Sequence, residues 1–116
     1  MIKLGKLTIS TKAGLKDARD KVHDMAMRFG FNGIQSVRFA TILTELVDPA
    51  VLTGVITREI SVQLIRDEKN GICIVADLPE QSGVARLAAR FFDAVEMVAT
   101  DGETCQFQGF KQFPTV

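Results

Sequence analysis

Apolar residues recur at two different spacings along this chain, and the spacing predicts which segments are strands and which are helices. Alternating or continuous short apolar runs predict strands over 3–10, 59–67, 72–77, 95–100 and 104–113. Spacings of three and four residues predict helices over 12–29, 34–47 and 83–93. The order is strand, helix, helix, strand, strand, helix, strand, strand. Antiparallel hairpins with helices grouped on one face make an α+β two-layer sandwich.

Glycine, proline and asparagine mark the boundaries between these elements. Gly30 ends the first helix because it can adopt positive φ. Pro49 interrupts the second helix because it has no N–H to donate. Glu68-Lys69-Asn70-Gly71 and Asp101-Gly102 are expected to turn the two hairpins, with Asn-Gly supplying positive φ. The spacing within the second helix predicts an inward side made of Ile34, Val37, Ala40, Thr41 and Leu43 or Thr44.

Composition narrows the class of protein. The 116 residues suffice for one domain, 1–116. Lys plus Arg equals Asp plus Glu at 14 each, so the basic excess that nucleic-acid binding requires is missing and no nucleic-acid partner is expected. A neutral chain repels itself weakly, which leaves association with another protein easy. No apolar run reaches the roughly 18 residues of a membrane span and no signal peptide is visible, so we expect a cytoplasmic protein without membrane contact.

The remaining reactive residues do not form a metal site by their spacing. Cys73 and Cys105 are expected to be small buried apolar residues in a reducing compartment. His23, the single histidine, is expected on a solvated helix face. Two cysteines with one distant histidine do not make a metal centre.

Four segments, in their order and spacing, resemble the GHKL-type (histidine kinase-like) ATPase domain of the anti-sigma-factor serine kinases. They are the corner Met27–Phe31, the run Ala40–Pro49, the strand Gly71–Asp77 with Leu78-Pro79-Glu80-Gln81 after it, and the end Gly109–Pro114. The resemblance implies the GHKL fold, with a mixed, mostly antiparallel sheet and helices on one face. It also implies that the family's nucleotide-site positions can be sought in this chain.

The second-helix positions of that resemblance are only partly kept. The family's magnesium-binding asparagine corresponds to Pro49, which has no side-chain oxygen for a hard cation. Asp48 is one residue away, and one residue turns a helical side chain by about 100°. Glu45 stands where the resemblance implies a general base. Its alternative is a solvated carboxylate, or one paired with Arg38 or Arg58.

The loop positions are altered too. Asp77 stands where the resemblance implies an aspartate that accepts a hydrogen bond from adenine; its alternative is a residue that ends a strand and caps the next loop. The family's two loop glycines correspond to Pro79 and Gln81, although glycine lets the backbone approach a ligand closely. Only Gln81-Ser82-Gly83 separates this loop from the helix at Val84, so the ATP lid is expected to be missing.

The resemblance and these changes together predict a non-catalytic regulatory protein-binding module, a pseudokinase in a signalling or transcription-control pathway. ATP and magnesium are not expected as cofactors, no metal is expected, and Glu45 is at most a vestigial catalytic residue. The expected partner is a sigma factor, an antagonist-like protein or another regulatory protein, with a homodimer as a further option. One alternative is a serine/threonine kinase or ATPase with an altered nucleotide site, and another is a structural subunit of an oligomer.

Overall fold

The computed structural model of this chain describes residues 2–47, 49–66, 69–79, 88, 90–100 and 104–114. Its architecture is α+β, as the hydrophobic pattern predicts. The elements are β1 Ile2–Ile9, α1 Lys12–Arg28, α2 Gly33–Glu45, α3 Pro49–Leu52, β2 Arg58–Arg66, β3 Asn70–Pro79, β4 Ala94–Ala99 and β5 Thr104–Gln112. All five predicted strands and the first two predicted helices are confirmed. No helix among the described residues is long and apolar enough to cross a membrane.

The chain divides into two compact units, which we describe separately. The sheet unit comprises Met1–Leu7 and Glu59–Gln112, and the helical unit comprises Thr8–Arg58 and Phe113–Val116. The GHKL type and the packing of helices over one sheet face stay predictions.

The sheet has five strands in the order β1-β2-β3-β5-β4. The pairings of β2 with β3, β3 with β5 and β4 with β5 are antiparallel. Strand β3 is central, as its nearly continuous apolar sequence predicts. The register places Val62 opposite Ile74 and Ile74 opposite Gly109.

One face of the sheet is apolar and buried. Its buried members on the three inner strands are Ile60, Val62, Leu64, Ile72, Ile74, Ala76, Leu78, Cys105 and Phe107. Gly109 belongs to the same face, where a Cβ atom would lie 2.7 Å from the Phe92 ring. Lys111 holds the segment before β4 in place. Its Nζ donates to the Phe91 carbonyl at 3.0 Å and lies 4.9 Å from the centre of the Phe91 ring.

The helical unit begins with two capped helices. Thr11 Oγ1 accepts a hydrogen bond from the Gly14 N–H at 3.0 Å, which satisfies a free donor at the start of α1. Gly30 has φ +93°, so the predicted glycine stop of α1 is confirmed. Asn32 and Gln35 form a reciprocal capping box at the start of α2. The sequence pattern Asn-x-x-Gln signals this box, which the analysis of spacing alone missed.

The predicted inward side of α2 is wrong for most of its residues. Ala40 and Leu43 are buried, but Ile34, Val37, Thr41 and Thr44 are exposed. The buried side of the helix is instead Ser36, Phe39, Ala40, Ile42 and Leu43. Apolar residues at helical spacing occur on two sides of α2. The buried side is hard to recognise in the sequence because it contains the polar residue Ser36. Its hydroxyl donates to the Phe31 carbonyl at 3.4 Å, which makes a buried serine tolerable.

One turn prediction also changes. Asn70 and Gly71 lie inside β3, with Asn70 opposite Arg66, and neither has positive φ. The Asn70-Gly71 part of the predicted turn is therefore wrong. Gly71 is required for space, since a Cβ there would meet the Lys111 carbonyl and lie 2.8 Å from the Phe110 ring. The turn Asp101-Gly102 lies outside the described residues.

Most of the predicted helix 83–93 also lies outside them. The N–H groups of Phe91 and Phe92 each bond to the Ala88 carbonyl at 2.9 Å, and the helical conformation has ended by Asp93.

Candidate functional site

A groove of about 450 Å³ lies between α1 and α2 in the helical unit. The two helices are joined by a short corner, and the capped start of α2 fixes the direction in which it leaves that corner. The side chains that line the groove, named here the α1–α2 groove, are Lys16, Arg19, Asp20, His23, Val37 and Ala40. The α1 wall is polar and charged, whereas the α2 wall is apolar.

The α1 wall carries a positive charge that its own carboxylate does not cancel. Lys16 Nζ lies 3.4 Å from Asp20 Oδ2, an i,i+4 pair on the helix surface. Among the residues that the structure describes, Arg19 makes no ion pair. The cation of Arg19 is therefore available to an anionic group entering the groove.

Two large apolar side chains of α2 are exposed to solvent, one in the α2 wall and one beside it. Val37 is 53% exposed and Ile34, one helical turn before it, is 69% exposed. On the opposite side of the same helix, Phe39 and Leu43 are buried. Neither Ile34 nor Val37 is thus used to hold the helical unit together, and both are free to contact another molecule.

Glu45 and Pro49 do not lie on one continuous helix. Glu45 is the last residue of α2, Leu46 caps it, and Pro49 is the exposed first residue of α3. Pro49 has no side-chain oxygen, so the residue at this position does not fit a magnesium ion. Asp48 lies outside the described residues.

The Glu45 carboxylate is not fully solvated. Its Oε2 atom is buried and has no hydrogen-bond partner among the described residues. Within that same part of the chain, no ion pair joins Glu45 to Arg38 or to Arg58. The predicted pair with Arg38 or Arg58 is therefore not formed among the described residues, whereas the alternative of a solvated carboxylate stays a prediction, because Glu45 as a whole is half-buried.

Asp77 and Pro79 lie near the end of β3, in the sheet unit. Both are exposed and both belong to the face opposite Ala76 and Leu78, because side chains alternate along a strand. Pro79 is the last residue of β3 and pairs with Thr104, so the strand continues two residues beyond the predicted end at Asp77. Gln81 and the rest of the predicted lid region lie outside the described residues.

The thiols and the histidine lie in three different surroundings. Cys105 is buried and Cys73 is half-buried, and no disulfide bond joins them. Burial raises the pKa of the Cys73 thiol above its ordinary value of 9.0. His23 is half-exposed and lines the α1–α2 groove, with its Nδ1 atom 3.8 Å from Asp24 Oδ1. Among the described residues, no cluster of three or more His, Cys, Asp or Glu side chains is placed to hold a metal ion.

Comparison with models of protein families and with curated proteins finds no match to this chain. The function must therefore be argued from the groove and from the residues above. The predicted nucleotide-site residues are distributed between the two units, whereas the groove is built within one. The groove does not follow from the helical spacing of α2, because that spacing predicts that Val37 is buried.

Proposed function

We propose that this chain is a non-catalytic regulatory protein-binding module, related to the anti-sigma-factor kinases, that acts by holding a partner protein in a signalling or transcription-control pathway. The observation that carries the proposal is the α1–α2 groove, in which the exposed apolar side chain of Val37 faces a positively charged wall of α1, with exposed Ile34 one helical turn away. A large exposed apolar surface beside polar residues is typical of protein interaction sites.

The shape and charge of the groove favour one class of ligand. An amphipathic helix binds in a groove between two helices through apolar side chains at helical spacing. Val37 and Ile34 are one turn apart, which matches the spacing of two such anchors. Arg19 then pairs with a carboxylate beside those anchors, which orients the ligand and speeds its association. The proposed ligand is an acidic amphipathic segment of the partner.

The altered nucleotide positions support the non-catalytic part of the proposal. The position that would supply the magnesium ligand is Pro49, on a separate short helix from Glu45. The position of the first loop glycine is Pro79, whose ring fixes φ. Regulation by partner binding needs neither group.

Capture of the partner from the source organism tests the proposal. The immobilised chain is compared with Ile34→Asp/Val37→Asp and with the control Val55→Asp/Ile56→Asp, in which two exposed apolar residues of the same unit also become carboxylates. We expect a protein that the wild type and the control retain and the groove variant loses. Arg19→Glu should weaken that retention, more strongly at low salt. Equal retention by the groove variant would overturn the assignment of the surface.

Thermal unfolding with Mg-ATP tests the non-catalytic part separately. A ligand that binds only the folded state raises the melting temperature, and the rise grows with the ratio of its concentration to its dissociation constant. We expect no rise at millimolar Mg-ATP. A clear rise would show that a nucleotide site has survived the changes at Pro49 and Pro79.

One observation favours a second candidate, an ATPase or serine/threonine kinase with an altered nucleotide site. A buried carboxylate oxygen without a hydrogen-bond partner is costly, and such groups concentrate at functional sites. If Glu45 serves as a base, then Mg-ATP-dependent phosphate release should be measurable in the wild type and lost in Glu45→Gln. Equal phosphate release by the two proteins, at the level of the buffer alone, eliminates this candidate.

A further inference from the structure

Strand β4 is an edge strand of the sheet that the structure describes. The strand order places β1 at one edge and β4 at the other, and no described strand lies beyond β4. The N–H of Thr100 donates to the carbonyl of Thr104 at 3.2 Å, which makes these opposed residues a hydrogen-bonded pair. Hydrogen-bonded and non-hydrogen-bonded pairs alternate in an antiparallel ladder. The residues that turn their peptide groups to the open edge are therefore Val95, Met97 and Ala99.

The two edges of the sheet differ in their protection against further pairing. Strand β1 carries Lys3, Gly5 and Lys6, and charged residues, lysine above all, keep an edge strand from pairing with another chain. Strand β4 has the sequence Ala-Val-Glu-Met-Val-Ala, with a single charge at Glu96 and no lysine, glycine or proline. Its Val98 side chain is 48% exposed. An apolar, regular edge of this kind is a template for a further strand.

We infer that β4 pairs antiparallel with β4 of a second copy of this chain, so that the two five-stranded sheets become one continuous sheet. A second copy fits because it supplies the same unprotected edge and because an interface around a two-fold axis needs only one self-complementary patch. The axis is perpendicular to the sheet, which keeps the buried face of both copies on one side.

The charge of Glu96 selects the register of this pairing. Residues directly opposite each other must point to the same face, so each residue meets one of the same parity. Placing Glu96 opposite Glu96 of the second copy opposes like charges, which is unfavourable. Centring the pair on Met97 places Glu96 opposite Val98 of the second copy. In this register, every peptide group that points to the open edge of one strand also forms a hydrogen-bonded pair with the other strand.

Substitutions of opposite charge at Val98 test both the interface and its register. The dissociation constant of the dimer is measured by analytical ultracentrifugation of the full chain. Val98→Lys places a cation opposite Glu96 of the second copy, so the dimer should tighten roughly three- to tenfold; Val98→Glu should weaken it by a similar factor. Adding Glu96→Lys to Val98→Glu should bring the constant to that of Val98→Lys, because the same pair of opposite charges forms with its signs exchanged.

The control is Leu4→Lys, which adds the same charge to the exposed side of the other edge and should leave the dissociation constant unchanged. Met97→Pro removes an N–H that faces the open edge and not β5, so it should abolish the dimer while the monomer remains folded by circular dichroism. A wild type that stays monomeric at its highest soluble concentration overturns the inference. So does a shift in the same direction for Val98→Lys and Val98→Glu.

Discussion

The two compact units place their apolar side chains differently. In β2 of the sheet unit, Ile60, Val62 and Leu64 are all buried, and the residues between them are half-buried. In α2 of the helical unit, apolar residues lie on both sides, and Ile34 and Val37 remain in solvent. A strand has only two directions for its side chains, so one alternation decides its buried face. A helix offers a full circle, so it can carry a second apolar stripe that its own fold does not use.

Truncations on the two sides of α2 should give the largest difference in stability, because one side is buried in the fold and the other is exposed to solvent. Leu43→Ala removes a fully buried side chain, and we expect a loss of about 2–5 kcal/mol in the free energy of unfolding. Val37→Ala removes an exposed one, with an expected change within about 0.5 kcal/mol. Urea unfolding followed by circular dichroism measures both. Equal losses at the two positions would mean that Val37 belongs to the core and would remove the groove as a binding surface.

A matched pair of glycines should sharpen the comparison within the sheet unit. Gly71→Ala places a Cβ against the Phe110 ring and the Lys111 carbonyl, and overpacking of this kind costs about 1–3 kcal/mol. Gly5→Ala on the edge strand β1 meets no atom within 4 Å and should be neutral or slightly stabilising. Thermal unfolding of the two variants gives the difference. If Gly71→Ala were as stable as wild type, the described close approach of β5 to β3 would be wrong.

The start of α2 should show a smaller effect, because its cap is exposed. The Asn32 side chain accepts the Gln35 N–H at 2.8 Å, so Asn32→Ala should cost about 1 kcal/mol of folding free energy. Asn32→Asp keeps an acceptor at the same place and should lose much less. The unfolding midpoint in urea compares the three proteins. A loss as large for Asn32→Asp as for Asn32→Ala would argue that Asn32 acts through packing and not as a cap.

These differences explain which parts of the molecule could be predicted from its sequence. Strand positions and the buried residues of β2 follow from alternation alone, and the end of α1 follows from Gly30. The buried side of α2 does not, because Ser36 occupies a core position while Ile34 and Val37 occupy exposed ones. The sequence contains no signal for the three-dimensional shape of a groove. The α1–α2 groove, built from side chains about 20 residues apart in sequence, therefore required the structure.

The separation of Glu45 from Pro49 shows a second limit. A proline after a helical run signals a break, but the pattern does not say that a new helical turn begins at that same residue. The predicted nucleotide-site positions stay a hypothesis drawn from resemblance. Residue identity alone still limits the chemistry at one of them, because Pro49 lacks a side-chain oxygen whatever its conformation.

The smallest effect is expected when the two faces of the sheet are compared by the alkylation rates of their thiols. Cys105 lies on the buried face and Cys73 on the opposite face, where it is half-buried. Since the thiolate is the reacting form and burial raises the pKa of the Cys73 thiol, iodoacetamide should modify Cys73 in the folded chain more slowly than in urea. Cys105 should react more slowly still. Peptide mass mapping separates the two sites.

The pH dependence of that reaction has a definite sign. The pKa of Cys73 is higher in the folded chain than the ordinary 9.0, so its alkylation rate should reach half-maximum at a higher pH when the chain is folded. The folded state prefers the protonated thiol. The stability that Cys73 contributes is therefore fully present below about pH 9 and is lost as the pH rises through its folded pKa. Suppose instead that the pH of half-maximal alkylation is at or below that of the unfolded chain. Solvent would then reach the Cys73 thiol freely, and the sheet face that carries it would be more exposed than the structure describes.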